Sequence, residues 1–522
     1  MKHPGLSVAG LCLWLSTALA STTTAAAPAS CASLAAMKLP DTSITSVQEV
    51  TGSFVAPRGG PPVTGLPAFC RVAAVTKPAV RFEVWLPLAD WNGKYQGVGN
   101  GANAGSISYG AMVAALKRGY ATSSTDTGHD TEDGRDAKWA VGHPELVIDF
   151  AYRSIHVTAE NAKKIVAQFY AAPAQHSYFV ACSTGGRQAL MEAQRFPGDY
   201  DGIIAGAPAA NWSHFQTGGH MWVANALNKD AASYLPAAKL KALGDAVNAM
   251  CDRLDGIVDG IIADPRKCSF DPKMLQCPAG KDDATCLTPQ QVNTVNDIWS
   301  GSHTASGKLI YPGYMRGAEA AAGGWNTTMV GTGPQSGAHW DQGMNTLKYI
   351  VFEKPDWKLG DFNVERDAAF AEKKVGKLID AFDPDLRPFR DRGGRLILYH
   401  GWNDPSISPL NTINYYQNVV ASLGQQGGAA DAEARARSFA RLFMVPGMLH
   451  CGGGPGPNNF DMVTALEQWV EQKQPPDRII ASHSSSGTVD RTRPLCAYPQ
   501  AASYTGSGST DDAANFVCKL DK

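Results

Sequence analysis

Residues 178 to 190 read Tyr178-Phe179-Val180-Ala181-Cys182-Ser183-Thr184-Gly185-Gly186-Arg187-Gln188-Ala189-Leu190. An apolar run suited to a buried strand stops at a hydroxyl and two glycines, after which Ala189, Leu190, Ala193 and Phe196 recur at helical spacing. A sharp strand-to-helix turn strains the serine backbone, lifts its oxygen out of the sheet and aims the following N–H groups at a developing oxyanion. The usual spacing is Gly-x-Ser-x-Gly, whereas this stretch runs Ala181-Cys182-Ser183-Thr184-Gly185, and no strict copy of the pattern occurs in the chain. On this stretch alone, an ordinary strand-turn-helix with a surface serine is an equal alternative.

Two later stretches answer it. Arg395 to Tyr399 is a short apolar run that ends in His400-Gly401-Trp402-Asn403-Asp404-Pro405, placing a carboxylate on a loop after a strand. Leu442 to Val445 ends in Pro446-Gly447-Met448-Leu449-His450-Cys451. The order Ser183, Asp404, His450 is that of the α/β-hydrolases, in which histidine takes the serine proton and aspartate fixes the imidazole tautomer and stabilises its charged form. The chain holds twelve histidines, so His450 rests on its strand-end position and on its neighbour Cys451. Cys182 precedes the serine and Cys451 follows the histidine, so a bond between them would tie the two loops together.

Ala-Cys-Ser-Thr-Gly-Gly-Arg-Gln, His-Gly-Trp-Asn-Asp-Pro and His450-Cys451 resemble the paired-cysteine motifs of the tannase and feruloyl esterase family, which also includes the bacterial hydrolase of mono(2-hydroxyethyl) terephthalate. The likeness extends over nearly the whole mature chain, with Trp91-Asn92-Gly93, Gly99-Asn100-Gly101 and the aspartates near residue 255. Its visible departure is Ala181, where glycine is usual and where one more methyl is expected to tighten the elbow.

Composition is that of an ordinary globular chain: 522 residues, 44% hydrophobic and 18% charged, enough for one large or two medium domains. A formal net charge of -2 leaves no electrostatic footprint for nucleic acid or an anionic membrane. Residues 1–20 carry Lys2 and His3, then an apolar stretch from Leu6 and a small-residue end, Thr-Ala-Leu-Ala, before Ser21. This reads as a cleavable signal peptide, too short and interrupted for an anchor, and no other stretch reaches spanning length. Export to a periplasm or the medium is expected. Of eleven cysteines, Cys12 lies in the signal, and the remaining ten suit an oxidising compartment. Spacing alone leaves their connectivity open. The family resemblance implies Cys31 with Cys70, Cys182 with Cys451, Cys251 with Cys268, Cys277 with Cys286, and Cys496 with Cys518. A zinc site would need Cys-x-x-Cys or clustered Cys/His spacing, which is absent.

Residues 21–30, rich in Ser, Thr, Ala and Pro, form an expected disordered lead-in, with order beginning near Cys31. Phe82–Leu86 and Tyr95–Val98 read as strands, with a tight turn at Asn92-Gly93 between them. In a hydrolase of this type an oxyanion donor comes from a loop after an early strand, so the Gly101 N–H is the candidate to pair with that of Thr184; a glycine-rich turn without catalytic duty is the alternative. A helix from Ala111 to Leu116, a strand from Tyr120 to Thr125 and helical periodicity from Leu146 to Tyr170 precede the elbow. Alternating strands and helices imply a mainly parallel sheet covered on both faces. The hydrolase core is expected over 31–205 and 392–522, with a lid domain inserted at 206–391. The insertion holds six of the twelve tryptophans, Trp212, Trp222, Trp299, Trp325, Trp340 and Trp357. They are expected to fill its core, with some lining a pocket over Ser183. After His450, Phe460–Val470 reads as an amphipathic helix ended by Pro475-Pro476, and the tail as an extension of the core.

Within the insertion, Cys251-Asp252-Arg253-Leu254-Asp255-Gly256-Ile257-Val258-Asp259-Gly260-Ile261 packs carboxylates and glycines into a tight loop. Hard oxygen ligands at such spacing suit calcium, though the spacing is not that of an EF-hand and a solvated acidic turn is an equal reading from spacing alone. The resemblance implies a structural calcium bound by the side chains of Asp252, Asp255 and Asp259 and the carbonyls of Ile257 and Ile261. It also implies an exported serine esterase acting on small aromatic, phenolic acid esters of the feruloyl or galloyl type, without organic cofactor. A terephthalate monoester hydrolase is the alternative, and a calcium-stabilised binding module on a dead hydrolase scaffold the rival from another class. An intact triad argues against the rival.

Overall fold

The computed structural model describes residues 29–520 together with Met1, His3 and Gly5, so the expected signal peptide otherwise lies outside the described residues, as do 21–28 of the lead-in. Ala29 donates its N–H to Phe169 O (2.8 Å), and the chain is therefore seated two residues before Cys31, where order was expected to begin.

Nine strands form the central sheet: β1 (Thr42–Phe54), β2 (Val63–Thr76), β3 (Val80–Pro87), β4 (Lys94–Val98), β5 (Ala121–Thr125), β6 (His176–Cys182), β7 (Gly202–Gly206), β8 (Arg395–Gly401) and β9 (Ala440–Val445). Their spatial order is β1-β2-β3-β5-β4-β6-β7-β8-β9. From β5 to β9 neighbouring strands run parallel, while β1, β2 and β3 form an antiparallel edge joined to β5. Every residue of β5, β7 and β9 is buried, as parallel strands covered on both faces must be. Helices Ser154–Tyr170, Thr184–Arg195 and Pro409–Gly427 pack on one face through Ile165, Leu190 and Val419; Met462–Gln472 packs on the other through Leu466 and Trp469.

The expected turn at Asn92-Gly93 is present, with Asn92 Oδ1 accepting from Lys94 N–H (2.9 Å) and Gly93 at φ +79°. The strands flanking it do not pair, however: β4 lies between β5 and β6, parallel to both. Its last four residues are buried, which suits a central parallel strand and not the partner of an edge hairpin.

Between β7 and β8 the chain forms short helices, 3-10 and π turns, and one small antiparallel pair, Gly301–His303 with Leu309–Pro312. This segment has its own apolar cluster, including Leu243, Val247, Val295, Ile298, Trp299 and Trp325, into which Leu449 projects from the residue before His450. Trp212 and Trp325 are fully buried and Trp299 and Trp357 nearly so, whereas Trp222 and Trp340 are half-buried. The tail forms two antiparallel pairs, Arg478–Ser485 with Thr488–Cys496 and Gln500–Tyr504 with Phe516–Leu520, joined by Cys496–Cys518.

Candidate active site

Ser183 sits between β6 and the helix Thr184–Arg195 at φ +67°, ψ -127°, a left-handed conformation that a side chain rarely adopts. The strain is held by hydrogen bonds on both sides: Ser183 N–H donates to Gly206 O (2.9 Å) and Gly185 N–H to Asn100 O (2.7 Å). Glycine is required here for close approach. A Cβ on Gly186 would stand 2.3 Å from Gly206 O, and one on Gly185 would stand 2.7 Å from the Ala181 methyl. A Cβ on Gly99 would meet that same methyl at 2.8 Å. The methyl of Ala181 therefore occupies space left by two glycines, and the elbow keeps its form without the usual first glycine. Arg187, fully buried one turn into the helix, donates to the carbonyls of Ala151 (2.7 Å), Phe150 (2.9 Å) and Ile379 (3.3 Å). Burial without a paired carboxylate pushes its guanidinium down to about 9, with Asp380 opposing.

Asp404 and His450 reach Ser183 from the loops after β8 and β9. His450 Nε2 lies 2.9 Å from Ser183 Oγ, and His450 Nδ1 lies 2.7 Å from Asp404 Oδ2. The Asp404 side chain has no exposed surface, and its Oδ1 accepts the N–H groups of Ser406 (2.7 Å) and Ile407 (2.9 Å). Burial pushes this carboxyl up, but the charges and hydrogen bonds of His450 and His400 outweigh it and hold the group well below the usual carboxylate range. For His450 burial favours the neutral ring, and the charge and hydrogen bond of Asp404 overcome it to raise the imidazole above its ordinary value.

Sequence reasoning missed part of this arrangement. His400 is fully buried, with Nε2 at 3.0 Å from both Asp404 Oδ2 and Ile407 O and Nδ1 at 2.7 Å from Thr412 Oγ1. Its position four residues before Asp404 was the one signal available. His220 and His339, buried in the insertion, carried no signal, although both face the loop after Asp404.

The two expected oxyanion donors lie on segments that hydrogen-bond to each other. Thr184 is the first residue of its helix, so its N–H has no intrahelical acceptor. Gly101 stands between Asn100, whose carbonyl takes the Gly185 N–H, and Ala102, whose carbonyl accepts from Thr184 Oγ1 (2.5 Å). Asn100 and Gln188 exchange two further bonds, Asn100 N–H to Gln188 Oε1 and Gln188 Nε2–H to Asn100 Oδ1, each 3.0 Å. The loop carrying Gly101 is thus clamped to the start of the elbow helix.

All five cysteine pairs implied by the resemblance are bonded. Cys182–Cys451, with Cα atoms 6.0 Å apart, joins the residue before Ser183 to the residue after His450. In the acidic loop, Asp252 accepts from Asp259 N–H (3.2 Å) and Gly260 N–H (3.0 Å), and Asp255 accepts from Ile257 N–H (3.0 Å). Asp259 accepts from Ile261 N–H (3.1 Å) and from Arg493 (2.8 Å). Burial raises Asp255, and the neighbouring charges of Asp259 and Asp252 add to the effect against the Ile257 N–H and Arg493. Three carboxylates thus repel within one loop, and this donor chemistry fits a hard cation. Among the described residues, however, no three His, Cys, Asp or Glu side chains converge tightly enough to hold a metal as they stand.

The family model described as tannase and feruloyl esterase matches residues 62–519. The chain is 41% identical over 534 residues to an uncharacterized esterase of Xanthomonas campestris pv. campestris, covering 95% of this chain and 92% of that one. It is 35% identical over 526 residues to the mono(2-hydroxyethyl) terephthalate hydrolase of Piscinibacter sakaiensis, covering 87% and 85%. Among solved structures, feruloyl esterase B from Aspergillus oryzae superposes with a TM-score of 0.86 at 30% identity, covering 94% of this chain and 99% of that one. With a mainly parallel sheet and Ser183, Asp404 and His450 at its strand ends, the chain belongs to the tannase and feruloyl esterase family of carboxylic ester hydrolases, on the α/β-hydrolase fold.

Proposed function

We propose that this protein is an exported serine esterase that cleaves esters of small phenolic acids through an acyl-enzyme on Ser183. The observation that carries the reading is the continuous relay from Ser183 Oγ through His450 to Asp404, with the serine in a strained backbone. Ser183 Oγ attacks the ester carbonyl carbon while its proton passes to His450 Nε2, and Asp404 stabilises the imidazolium. The N–H groups of Thr184 and Gly101 receive the oxyanion. Collapse breaks the bond to the alcohol, which leaves with the proton from His450; water then repeats the sequence and releases the acid. The feruloyl esterase neighbour supports a phenolic acyl group. The terephthalate relative, at comparable identity over most of the chain, favours a second reading in which the acyl group is a terephthalate monoester. Under either reading the insertion acts as a lid, and five disulfides favour an oxidising compartment outside the cytosol. Among the described residues no helix is long and apolar enough to cross a membrane.

The test is a fluorophosphonate probe followed by a substrate panel. The mature protein should be labelled and Ser183→Ala should not, and kcat/KM should favour methyl ferulate or methyl gallate over mono(2-hydroxyethyl) terephthalate. Labelling that persists in Ser183→Ala would put the nucleophile elsewhere, and the reverse preference would select the second reading.

Calcium is part of the same proposal, as a structural ion between Asp252, Asp255 and Asp259, with the carbonyls of Ile257 and Ile261. Supporting it is the partly buried Asp255 carboxyl, which burial and the charges of Asp259 and Asp252 push up against the Ile257 N–H and Arg493. A chelator should lower the thermal midpoint, and added calcium restore it, with probe labelling at low temperature unchanged. Loss of labelling without loss of fold would give the ion a catalytic role.

A further inference from the structure

The loop that carries the acid is gripped from two sides. On the core side, His400 reaches Asp404 Oδ2 and Ile407 O, and Asp404 Oδ1 takes the N–H groups of Ser406 and Ile407. Those two bonds fix the plane of the carboxylate by the path of residues 405–407, so whatever holds that path aims the acid. The carbonyls of Pro405 and Ser406 point into the insertion. His339 Nε2 lies 2.8 Å from Pro405 O, Tyr314 OH donates to Ser406 O (3.1 Å), and His220 also interacts with the Ser406 carbonyl. Immediately afterwards Ser408 Oγ donates to Gly313 O (2.6 Å).

His339 has no exposed surface, and because a carbonyl can only accept, its Nε2 must carry the proton. Its Nδ1 is then a bare acceptor with no partner among the described residues. The His220 ring stacks at a tilt 4.4 Å away and shares its own Nδ1 with Gln216 Oε1 (3.1 Å). Burying a polar ring in the interior is costly, and an apolar side chain would fill the space without that cost. What the imidazole adds is the donor to Pro405 O, one residue from Asp404.

We propose that His339, supported by Tyr314 and His220, is a positioning residue for the esterase reaction: the insertion holds the backbone after Asp404 so that Oδ2 meets His450 Nδ1. This rests on the serine relay proposed above. In the absence of the grip the 405–407 path relaxes, the carboxylate turns, and His450 loses the charge that stabilises it as it accepts the serine proton.

The test uses the full mature chain and reads the rate of fluorophosphonate labelling against pH, with kcat and KM on methyl ferulate. His339→Leu should slow labelling and kcat about tenfold with KM within about twofold, since misplacement of a reacting group affects rate before binding. The pH midpoint of labelling should move down, because His450 would no longer be held charged by Asp404. His339→Gln, whose amide nitrogen reaches where Nε2 stands, should recover most of the rate and the midpoint. Tyr314→Phe removes only a hydroxyl and should slow labelling about threefold in a folded protein. A folded His339→Leu with wild-type rate and midpoint would overturn the proposal, and if that variant does not fold, an unchanged rate and midpoint in Tyr314→Phe would do so. An unlabelled wild-type protein would instead remove the serine relay, and this inference with it.

Discussion

Ala181 places a methyl where the usual elbow has glycine, and Gly99 and Gly185 supply the room for it. Substitution at these three positions should therefore be unequal. Ala181→Gly removes a methyl that fits, so probe labelling should stay within about threefold of wild type. Gly99→Ala or Gly185→Ala would bring two methyls to contacts under 3 Å and push the Asn100–Gly101 loop from the elbow helix, costing about 10²-fold in rate. A Gly99→Ala variant with undiminished labelling would show that the loop yields freely. The same close quarters explain what could be read from sequence at this scale. Ser183, Asp404 and His450 were legible because each follows an apolar run that ends abruptly, a signal local in the chain. His400 had only its place four residues before Asp404 to mark it, whereas His220 and His339 act through tertiary contact, 66 residues apart in the case of His339 and Pro405, and nothing around them in sequence marks the partner.

At the scale of elements, β3 to β6, β8 and β9 were legible as strands, and β1, β2 and β7 were not. β8 and β9 are almost wholly buried and read as apolar runs, whereas β1 alternates half-buried and exposed residues, Thr, Ser, Gln and Glu among them, and shows no such run. The place of β4 in the sheet was not readable either: a local turn signal says nothing about which strand lies alongside. Cys182–Cys451 connects two of these elements, β6 and the loop after β9, over a sequence separation of 269. By the chain-entropy model such a closure stabilises by at most on the order of 5 kcal/mol. Because its two residues adjoin Ser183 and His450, it also sets the distance the proton crosses. Cys182→Ala with Cys451→Ala should thus lower kcat about tenfold or more well below its unfolding temperature, with KM changing less. If kcat at low temperature equals wild type and only the thermal midpoint falls, the bond is a staple and nothing more.

Across the whole molecule, insertion and core share one interior at the acid loop. Gly317, in the insertion, lies so close to Asn403 that a Cβ would stand 2.7 Å from its amide nitrogen, and the Gly317 N–H donates to Glu319 Oε2 (2.8 Å). Glu319 is fully buried, with Oε1 accepting from Trp299 Nε1 (3.1 Å). Burial pushes its carboxyl up to about 7, with the Gly317 and Trp299 bonds and the Arg316 charge opposing. Unfolded, the group titrates near its ordinary value, about 4.3. Between those limits the folded chain keeps a proton that the unfolded chain has released, so stability falls as pH rises from about 4.5 to 7 and levels off above. The whole window corresponds to on the order of 3 kcal/mol, an upper figure for one carboxyl. Glu319→Gln is uncharged at every pH and keeps one acceptor oxygen. Relative to wild type its thermal midpoint should therefore rise steadily from pH 5 to 7 and stay level from 7 to 8. The difference between the two proteins isolates this group, since every other titrating residue is common to both. A constant difference across pH 5 to 8 would mean that Glu319 is already ionised in the folded protein, held so by Arg316, and that the seam beside the acid loop does not respond to neutral pH.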